Sequence, residues 1–456
     1  MRSDPQRADS APAVREMRSL LALAAPVVGV QLGIMLMGTV DVMMLGRLDA
    51  TALAAGALGN AVGFGILMFP FGLLLALDPL VAQAFGARDH DRIRRHFQRG
   101  LVLAVVLSLP AGLLMWNTEG ALRLLGQKEP LLTLASQYIR ALIPGSVAFL
   151  LFAVLRQTLQ AMSIVWPALV TIAAANLVNV VANYALVFGN LGFPRLEVVG
   201  SAIATSISRW CMFVGLSLIA LPMLRRYLGG ASWADLRPVR YLHFLAIGLP
   251  VGLQVSLEMW VFGTVALLMG SLGTVQLAGH QIALNLAALT FMIPLGIAGA
   301  AATRVGNAIG RGDQAAGRLS ASVSLCLGAG VMALFALLFW AAPAALSRLF
   351  TADSQVIRMA VLLLPIAAVF QVADGAQVVA AGVLRGTADT RWPALIAFFG
   401  YWLLGLPTGA LLAYRYDWGP RGLWWGLTLG LATVAVLFLL RIRSRFSTTI
   451  ARLPAD

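Results

Sequence analysis

The chain has 456 residues, of which 60% are apolar and only 11% are charged, and its formal net charge is +14. This composition leaves too little polar surface for a soluble globular protein, so it indicates a membrane protein. A basic excess can also mark a nucleic-acid-binding protein, but the basic residues lie where they would orient a bundle in a bilayer, and we expect no nucleic-acid partner.

Twelve apolar stretches are long enough to cross a bilayer, which requires about 20 residues per helix. They lie near residues 19–45, 52–80, 98–118, 133–160, 164–188, 197–222, 242–270, 277–305, 319–342, 355–384, 393–414 and 421–441. The stretches are continuous apolar runs with embedded glycine and proline, and they lack the alternation typical of a transmembrane barrel. The sequence therefore predicts an all-α integral membrane protein with twelve transmembrane helices.

The basic residues divide unequally between the two sides of this predicted bundle. If the N-terminus is cytoplasmic, 23 Lys and Arg residues lie on the cytoplasmic side and nine on the other, while Arg209 lies within the sixth span. This bias favours two cytoplasmic termini, in agreement with an even number of spans. We predict cytoplasmic tails over 1–18 and 442–456 and a basic cytoplasmic linker over 223–241. The first apolar stretch is longer than the core of a signal peptide, so we expect it to remain in the mature protein.

The two halves of the chain resemble each other at an offset of 224 residues. The residues that coincide at this offset include the pairs Pro26/Pro250, Gly46/Gly270, Pro70/Pro294, Gly86/Gly310 and Asp89/Asp313. Each half contains six spans, and because six is even both halves have the same orientation in the membrane. We predict an N-lobe over 19–222 and a C-lobe over 242–441, related by a parallel repeat. Pro26 and Pro250 are candidate hinges, because a proline removes a helical hydrogen bond and permits a bend.

The first span contains a carboxylate, Asp41, among apolar residues. A charge at the bilayer centre costs about 2.5–3.5 kcal/mol on insertion scales, so a partner or a function must compensate. In the fifth span Asn176, Asn179 and Asn183 share one helical face, and Thr205 in the sixth span could add an oxygen. Carboxylate, amide and hydroxyl oxygens suit a hard cation such as Na⁺, and a buried carboxylate can also carry a proton. The alternative is that the asparagines only join helices by hydrogen bonds.

Two further acids, Glu258 and Asp374, lie in the seventh and tenth spans. Asp41 and Glu258 fall opposite Val265 and Ile34 in the repeat, so neither acid belongs to the duplicated framework. Polar residues of the same half that could join Glu258 and Asp374 are Gln254, Gln281, Asn285 and Gln371. We expect a second polar chamber there, and we expect Asp41, Glu258 and Asp374 to be the residues at which Na⁺ would bind.

Four segments carry a resemblance to a known family. They are "PVVGVQLGIMLMGTVDVMMLGRLDATALAA", "PLVAQAFGARD", "AGHQIALNLAALTFMIPLGIAGAAATRVGNAIGRGD" and "DGAQVVAAGVLRGTADTRWPAL". In this order they resemble the multidrug and toxic compound extrusion (MATE) transporters, most closely the NorM-like bacterial branch, over about residues 19 to 440. The resemblance implies a fold of two six-helix lobes and the export of cationic, lipophilic drugs in exchange for Na⁺ or H⁺.

The resemblance also implies roles for particular residues. Asp41 resembles the first-helix acid that the family uses for coupling, with Asn179 and Asn183 as its fifth-helix partners, and Glu258 and Asp374 resemble the C-lobe acids of the NorM branch. Both lobes keep their acids, so which of them couples stays open. We expect a monomer in the bacterial inner membrane that contacts lipid, takes cationic drugs or dyes as substrates, and needs no cofactor besides the coupling ion.

Two other functions would require side chains different from those of a cation transporter. A flippase for lipid-linked pyrophosphate intermediates shares the bundle design, but an anionic substrate should require arginines in the cavity, whereas these spans contain acids. An intramembrane hydrolase would need a motif such as HExxH, GxSxG or a pair of GxGD sequences, and the sequence contains none of these. We therefore expect a transporter and no enzyme.

Overall fold

The computed structural model describes residues 12–124, 126, 128–229 and 238–453, and within these ranges the chain forms helices and no β-strands. The helices of the first half are α1 (Pro12–Leu45), α2 (Ala50–Leu74), α3 (Leu77–Gly86), α4 (His90–Trp116), α5 (Thr118–Leu124), α6 (Leu131–Ala161), α7 (Trp166–Phe188) and α8 (Glu197–Leu228). Those of the second half are α9 (Leu242–Leu272), α10 (Thr274–Arg311), α11 (Gln314–Ala341), α12 (Pro343–Arg348), α13 (Ser354–Gly386), α14 (Arg391–Phe398), α15 (Leu406–Ala410) and α16 (Pro420–Ser447).

The predicted fold class is confirmed. Among the described residues, twelve helical segments are long and apolar enough to cross a membrane, and they follow the twelve predicted spans in order. Several helices extend beyond their apolar stretch: α1 begins at Pro12 and α16 ends at Ser447, because charged residues continue each helix past the apolar window. The predicted tails and linker fall partly outside the described residues, at 1–11, 230–237 and 454–456.

Helix caps show the repeat in the structure. Asp89 precedes α4 and its carboxylate accepts a hydrogen bond from the Arg92 amide at 3.0 Å. Asp313 precedes α11 and accepts from the Ala316 amide at 3.0 Å. These two aspartates are paired by the offset read from the sequence, and each satisfies one of the free N–H groups at a helix start. The two halves therefore use the same residue type for the same local structure.

The chain divides into two compact units. The N-unit consists of Gly29–Ala84 and Arg88–Met259, and the C-unit consists of the described residues among 1–28, 85–87 and 260–454. The boundaries fall inside α1 and α9, so each unit includes the beginning of a helix that continues in the other unit. The lobes predicted from the sequence, 19–222 and 242–441, are separated by the linker and stay a prediction. In α1 the change of unit occurs two residues after Pro26.

Small residues allow helices of the C-unit to pack closely. Ala298 and Ala302 of α10 face Gly382 and Gly386 of α13, and a Cβ atom at Gly386 would lie only 2.7 Å from the Ala302 carbonyl oxygen. Helices in membranes associate through such close contacts, because lipid provides no hydrophobic driving force for helix association. The side chains of Trp424, Phe370 and Phe438 fill the remaining core of this unit and are buried.

The eleventh span departs from a regular α-helix. Between α14 and α15 the backbone is π-helical over Phe399–Gly405, and it is π-helical again over Leu411–Arg415. A π-turn adds one residue to the helical repeat and so changes which side chains share a face. The apolar pattern of 393–414 predicted a span here but contained no signal for these turns.

Candidate cation site at Asp41

The structure brings Asp41 together with three of its predicted neighbours inside the N-unit. The Asp41 side chain is only 4% exposed. Asn179 and Asn183 of α7 donate their amide N–H groups to Oδ1 at 3.1 and 2.8 Å, and the Thr205 hydroxyl of α8 donates to Oδ2 at 2.5 Å. Asn179 and Asn183 reach the same oxygen because residues four apart lie one above the other on a helix. Both carboxylate oxygens are thus held by neutral donors.

The asparagine amides also leave acceptor atoms without a donor. The Oδ1 atoms of Asn179 and Asn183 are buried and have no hydrogen-bond partner among the described residues. Buried polar oxygens normally have a partner, because an unsatisfied one costs the free energy of its lost hydration. One carboxylate with nearby uncharged oxygens is a donor set that suits a hard monovalent cation.

Asn176 has a different environment from the other two asparagines. Its amide donates to the Gly33 carbonyl of α1 at 3.0 Å and to the Ile172 carbonyl of its own helix at 2.9 Å. Gly33 precedes Asp41 by about two helical turns, so Asn176 joins α7 to α1 away from the carboxylate. For Asn176 the alternative of joining helices by hydrogen bonds therefore agrees with the contacts.

Arg209 of α8, which the sequence predicts either to reach the membrane surface or to pair with an acid, is a further neighbour of Asp41. Its side chain is buried, it interacts electrostatically with Asp41 and Tyr138, and its guanidinium lies 5.3 Å from the centre of the Phe149 ring. The contacts that hold Arg209 are thus an aromatic face and two polar groups. Its position four residues after Thr205 places both on one face of α8, and this spacing was the available sequence signal.

The polar residues of the second half fall into both units. Gln254 and Glu258 of α9 belong to the N-unit, where Gln254 is buried and Glu258 is partly buried. Asp374 of α13 belongs to the C-unit and is 4% exposed. Glu258 and Asp374 each have interaction partners within the chain.

Within the C-unit, one group of predicted residues is buried and another is exposed. Gln371 is fully buried, and its amide donates to the hydroxyl of Thr290, a residue that the sequence reasoning did not select. Gln281 and Asn285 lie on the exposed side of α10, where the Asn285 amide donates to the Gln281 carbonyl at 2.8 Å. Gln281 and Asn285 share one face of α10 because they are four residues apart. Thr290 lies on the opposite, buried face of the same helix.

Acidic side chains do not cluster in the way that a multivalent metal site requires. Among the residues that the structure describes, no three His, Cys, Asp or Glu side chains are close enough to hold one metal ion. A cation at Asp41 would therefore meet one carboxylate and neutral oxygens. This ligand charge suits Na⁺ or a proton better than a divalent metal.

Comparison with known proteins identifies the family of the chain. The MatE family model matches twice, over residues 26–185 and 250–411, and the two matches begin at the prolines that the repeat pairs. A probable multidrug resistance protein NorM of Mesorhizobium japonicum is 39% identical over 437 residues, covering 94% of this chain and 93% of the relative. The multidrug resistance protein MdtK of Edwardsiella ictaluri is 37% identical over 441 residues, covering 94% and 95%.

Solved structures agree with this assignment. The eukaryotic MATE transporter AtDTX14 superimposes with a TM-score of 0.88 at 25% sequence identity, covering 94% of this chain and 96% of that one. A multidrug resistance MATE family transporter of the MOP superfamily shares the fold with a TM-score of 0.84 at 20% identity. The twelve helices, the double match and the relatives over nearly the whole length lead to one conclusion: the chain belongs to the MATE family and is a membrane transporter rather than an enzyme.

Proposed function

We propose that the protein exports cationic, lipophilic drugs or dyes from bacteria across the inner membrane, in exchange for Na⁺ or H⁺, and that Asp41 couples the two movements. The observation that carries this proposal is the buried Asp41 carboxylate, which has three neutral donors and lies beside amide oxygens without a partner. The names of the relatives, multidrug resistance proteins, support the drug part of the proposal.

Coupling follows from competition for one negative charge. A drug cation and the coupling ion each neutralise Asp41, so binding of one opposes binding of the other. The ion can drive export only if it binds one conformation of the transporter more tightly than the other, since a ligand with equal affinity shifts no equilibrium. Glu258 and Asp374 are proposed as further cation sites, because each also carries a negative charge within a membrane span. The chain is proposed to act as a monomer with both termini in the cytoplasm.

The flippase alternative requires a different set of side chains. A pyrophosphate group is bound by several guanidinium or ammonium groups. The side chains that contact the Asp41 carboxylate are instead two amides and one hydroxyl, with Arg209 as a single cation nearby. This arrangement favours a cationic substrate over an anionic one.

The test is efflux of ethidium, a fluorescent lipophilic cation, from proteoliposomes with a Na⁺ gradient and a pH gradient imposed separately. We expect Asp41→Asn, Glu258→Gln and Asp374→Asn to lose ion-driven efflux, by about tenfold or more for Asp41→Asn, because an amide carries no negative charge to balance a cation and cannot exchange a proton. The matched control is Asp417→Asn, since Asp417 is exposed in the loop before α16. Wild-type efflux from all three variants under both gradients would refute the assignment.

A further inference from the structure

A cleft of about 580 Å³ opens at one end of the C-unit, between the start of α11 and the end of α16. Its polar lining consists of Gln314, Arg318 and Ser322 of α11 and Ser447, Thr448 and Thr449 at the end of α16. Hydroxyl, amide and guanidinium groups can all donate hydrogen bonds, and the guanidinium adds a full positive charge. This combination suits a ligand with anionic oxygen atoms.

The first half of the repeat shows the same helix ends with a different set of side chains. At the offset of 224 residues, Gln314, Ala315, Arg318 and Ser322 correspond to His90, Asp91, Arg94 and Gln98. In the N-unit the Asp91 carboxylate pairs with Arg94 at 3.2 Å. The Gln98 amide donates to the last carbonyls of α8, including that of Tyr227 at 3.0 Å. In the first half, therefore, Asp91 neutralises the arginine, and Gln98 satisfies carbonyl groups at the end of α8.

The second half lacks both of these side chains. Ala315 stands where Asp91 pairs with the arginine, and Ser322 stands where Gln98 spans to the neighbouring helix. Arg318 donates one of its five N–H groups to the Phe446 carbonyl, which fixes the guanidinium at the wall of the cleft. The Gln314 amide donates to the Thr448 carbonyl at 2.6 Å. The substitutions therefore leave a cleft and an arginine without the acid that its counterpart has.

The surrounding charges favour an anion. Arg311 is the last residue of α10, just before α11, Arg445 lies in the last turn of α16, and the guanidinium of Arg452 lies next to Gly312. Two acids lie nearby: Asp313 already accepts the hydrogen bond that caps α11, and Glu16 already pairs with Arg304 and accepts from Ser320. The local balance is thus strongly basic, and basic clefts between transmembrane helices at the membrane surface are typical sites for lipid headgroups.

The position of the cleft indicates that the anion belongs to a lipid. The candidate membrane spans of α11 and α16 begin at Gln314 and end at Ser447, and the cleft lies at these two ends. We infer that it faces the headgroup region, because a transmembrane helix ends where the bilayer meets the aqueous phase. On α16, Leu440 and Val436 are exposed within two to three turns of the cleft. A phosphate in the cleft would therefore have an apolar helix surface beside it for the acyl chains.

We propose that this cleft binds the phosphate headgroup of an anionic phospholipid, with Arg318 as its charged ligand and the hydroxyls of Ser322 and Thr449 as further donors. The site is separate from the Asp41 cluster, which lies in the other unit, and does not depend on the transport function proposed above. Occupation by lipid would satisfy the donors at the ends of α11 and α16 and tie this end of the C-unit to the membrane surface.

The test is titration of the full-length, detergent-solubilised protein with phosphatidylglycerol, with bound lipid counted by native mass spectrometry. We expect Arg318→Gln to weaken binding about fivefold, the usual contribution of one basic residue. We expect Ala315→Asp to weaken it similarly, because this variant restores the acid that pairs with the arginine in the first half while keeping the Phe446 contact. Arg348→Gln, the same change at an exposed arginine at the end of α12, which follows the far end of α11, is the control and should bind as wild type.

Two further arms separate lipid from other ligands. Phosphatidylcholine should bind measurably less than phosphatidylglycerol, and inorganic phosphate in large excess should not displace the lipid, since it has no acyl chains. The proposal is overturned if Ala315→Asp retains wild-type affinity, if Arg348→Gln loses as much as Arg318→Gln, or if phosphate alone displaces the lipid. A failure of this test would leave the efflux assay unaffected, and the reverse also holds.

Discussion

Burial of a carboxylate costs free energy of hydration, and at Asp41 hydrogen bonds from neutral donors compensate for much of this loss. Three donors from two helices hold its oxygens, and each is worth about 1.5–3 kcal/mol because the acceptor is charged. In the proposed function, a cation that binds Asp41 displaces or rearranges the same donors. These hydrogen bonds stabilise the carboxylate when no ion is bound, as the proposed exchange requires.

Thr205 offers a direct measure of that stabilisation. We expect Thr205→Val, which keeps the shape but removes the hydroxyl, to lower the free energy of unfolding by about 1–3 kcal/mol, because one carboxylate oxygen loses its donor. Thr205→Ser keeps the donor and should be destabilised less. Melting temperatures of the two variants in detergent measure the difference. A valine variant as stable as wild type, beside a destabilised serine variant, would show that the methyl group rather than the hydroxyl matters.

At the scale of single elements, the eleventh and twelfth spans show how backbone geometry and glycine spacing agree. Glycines of α16 recur every four residues at 422, 426 and 430, whereas those facing them lie at 400, 405 and 409. The step of five between Gly400 and Gly405 would leave the shared face of a regular α-helix, but the π-helical turn between them restores it. Backbones can then approach closely, as Gly426 and Gly405 do.

The close contact at Gly426 predicts that alanine destabilises the protein at this position but not at a glycine that has space around it. A Cβ atom at Gly426 would lie 2.6 Å from the Gly405 carbonyl oxygen and closer still to the backbone of Gly409. We expect Gly426→Ala to destabilise the protein by about 1–3 kcal/mol or more, because backbone on both sides cannot easily move. Gly330→Ala in α11 is the matched control, since nothing lies within 4 Å of its added carbon. That variant should gain up to about 1 kcal/mol from reduced chain entropy. Equal melting temperatures would contradict the close contact.

At the scale of the whole molecule, the two units are not the two halves of the chain. Residues 12–28 of α1 pack with the C-unit, while the remainder of α1, which carries Asp41, packs with the N-unit. The beginning of α1 is anchored within the C-unit by Glu16, whose carboxylate pairs with the Arg304 guanidinium at 2.5 Å and accepts from Ser320 at 2.5 Å. The helix that carries Asp41 thus contributes residues to both units, and Pro26 lies two residues before the boundary between them.

The predicted hinges can be ranked from these boundaries. In α1 the change of unit follows Pro26 by two residues, whereas in α9 it follows Pro250 by nine. We therefore expect Pro26→Ala to slow ion-driven ethidium efflux severalfold without lowering the melting temperature, because alanine restores the missing hydrogen bond and stiffens the helix. Pro250→Ala should have a smaller effect. Pro222→Ala in α8, a proline inside a helix that stays within one unit, should transport as wild type. Equal slowing in all three variants would argue against a hinge at Pro26.

The pattern of residues in the sequence was sufficient to predict the architecture and part of the candidate site. Apolar runs of about 20 residues can only be membrane helices, and coincident prolines, glycines and aspartates establish the repeat. The spacing of Asn179 and Asn183 placed both on one face, and a lone carboxylate in lipid must have polar company, so their contact with Asp41 could be anticipated. Their role in coupling stays a prediction.

Other features depend on contacts between residues far apart in the chain, which no local pattern encodes. Asn176 shares the asparagine stripe, but the close approach of α7 to Gly33 takes its amide away from Asp41. Three further features arise in the same way. They are the division of α1 and α9 between the units, the π-turns opposite the α16 glycines, and the cleft beside Arg318. Each results from how neighbouring helices pack, because side-chain volume and backbone approach are properties of helix pairs and not of a single stretch of sequence.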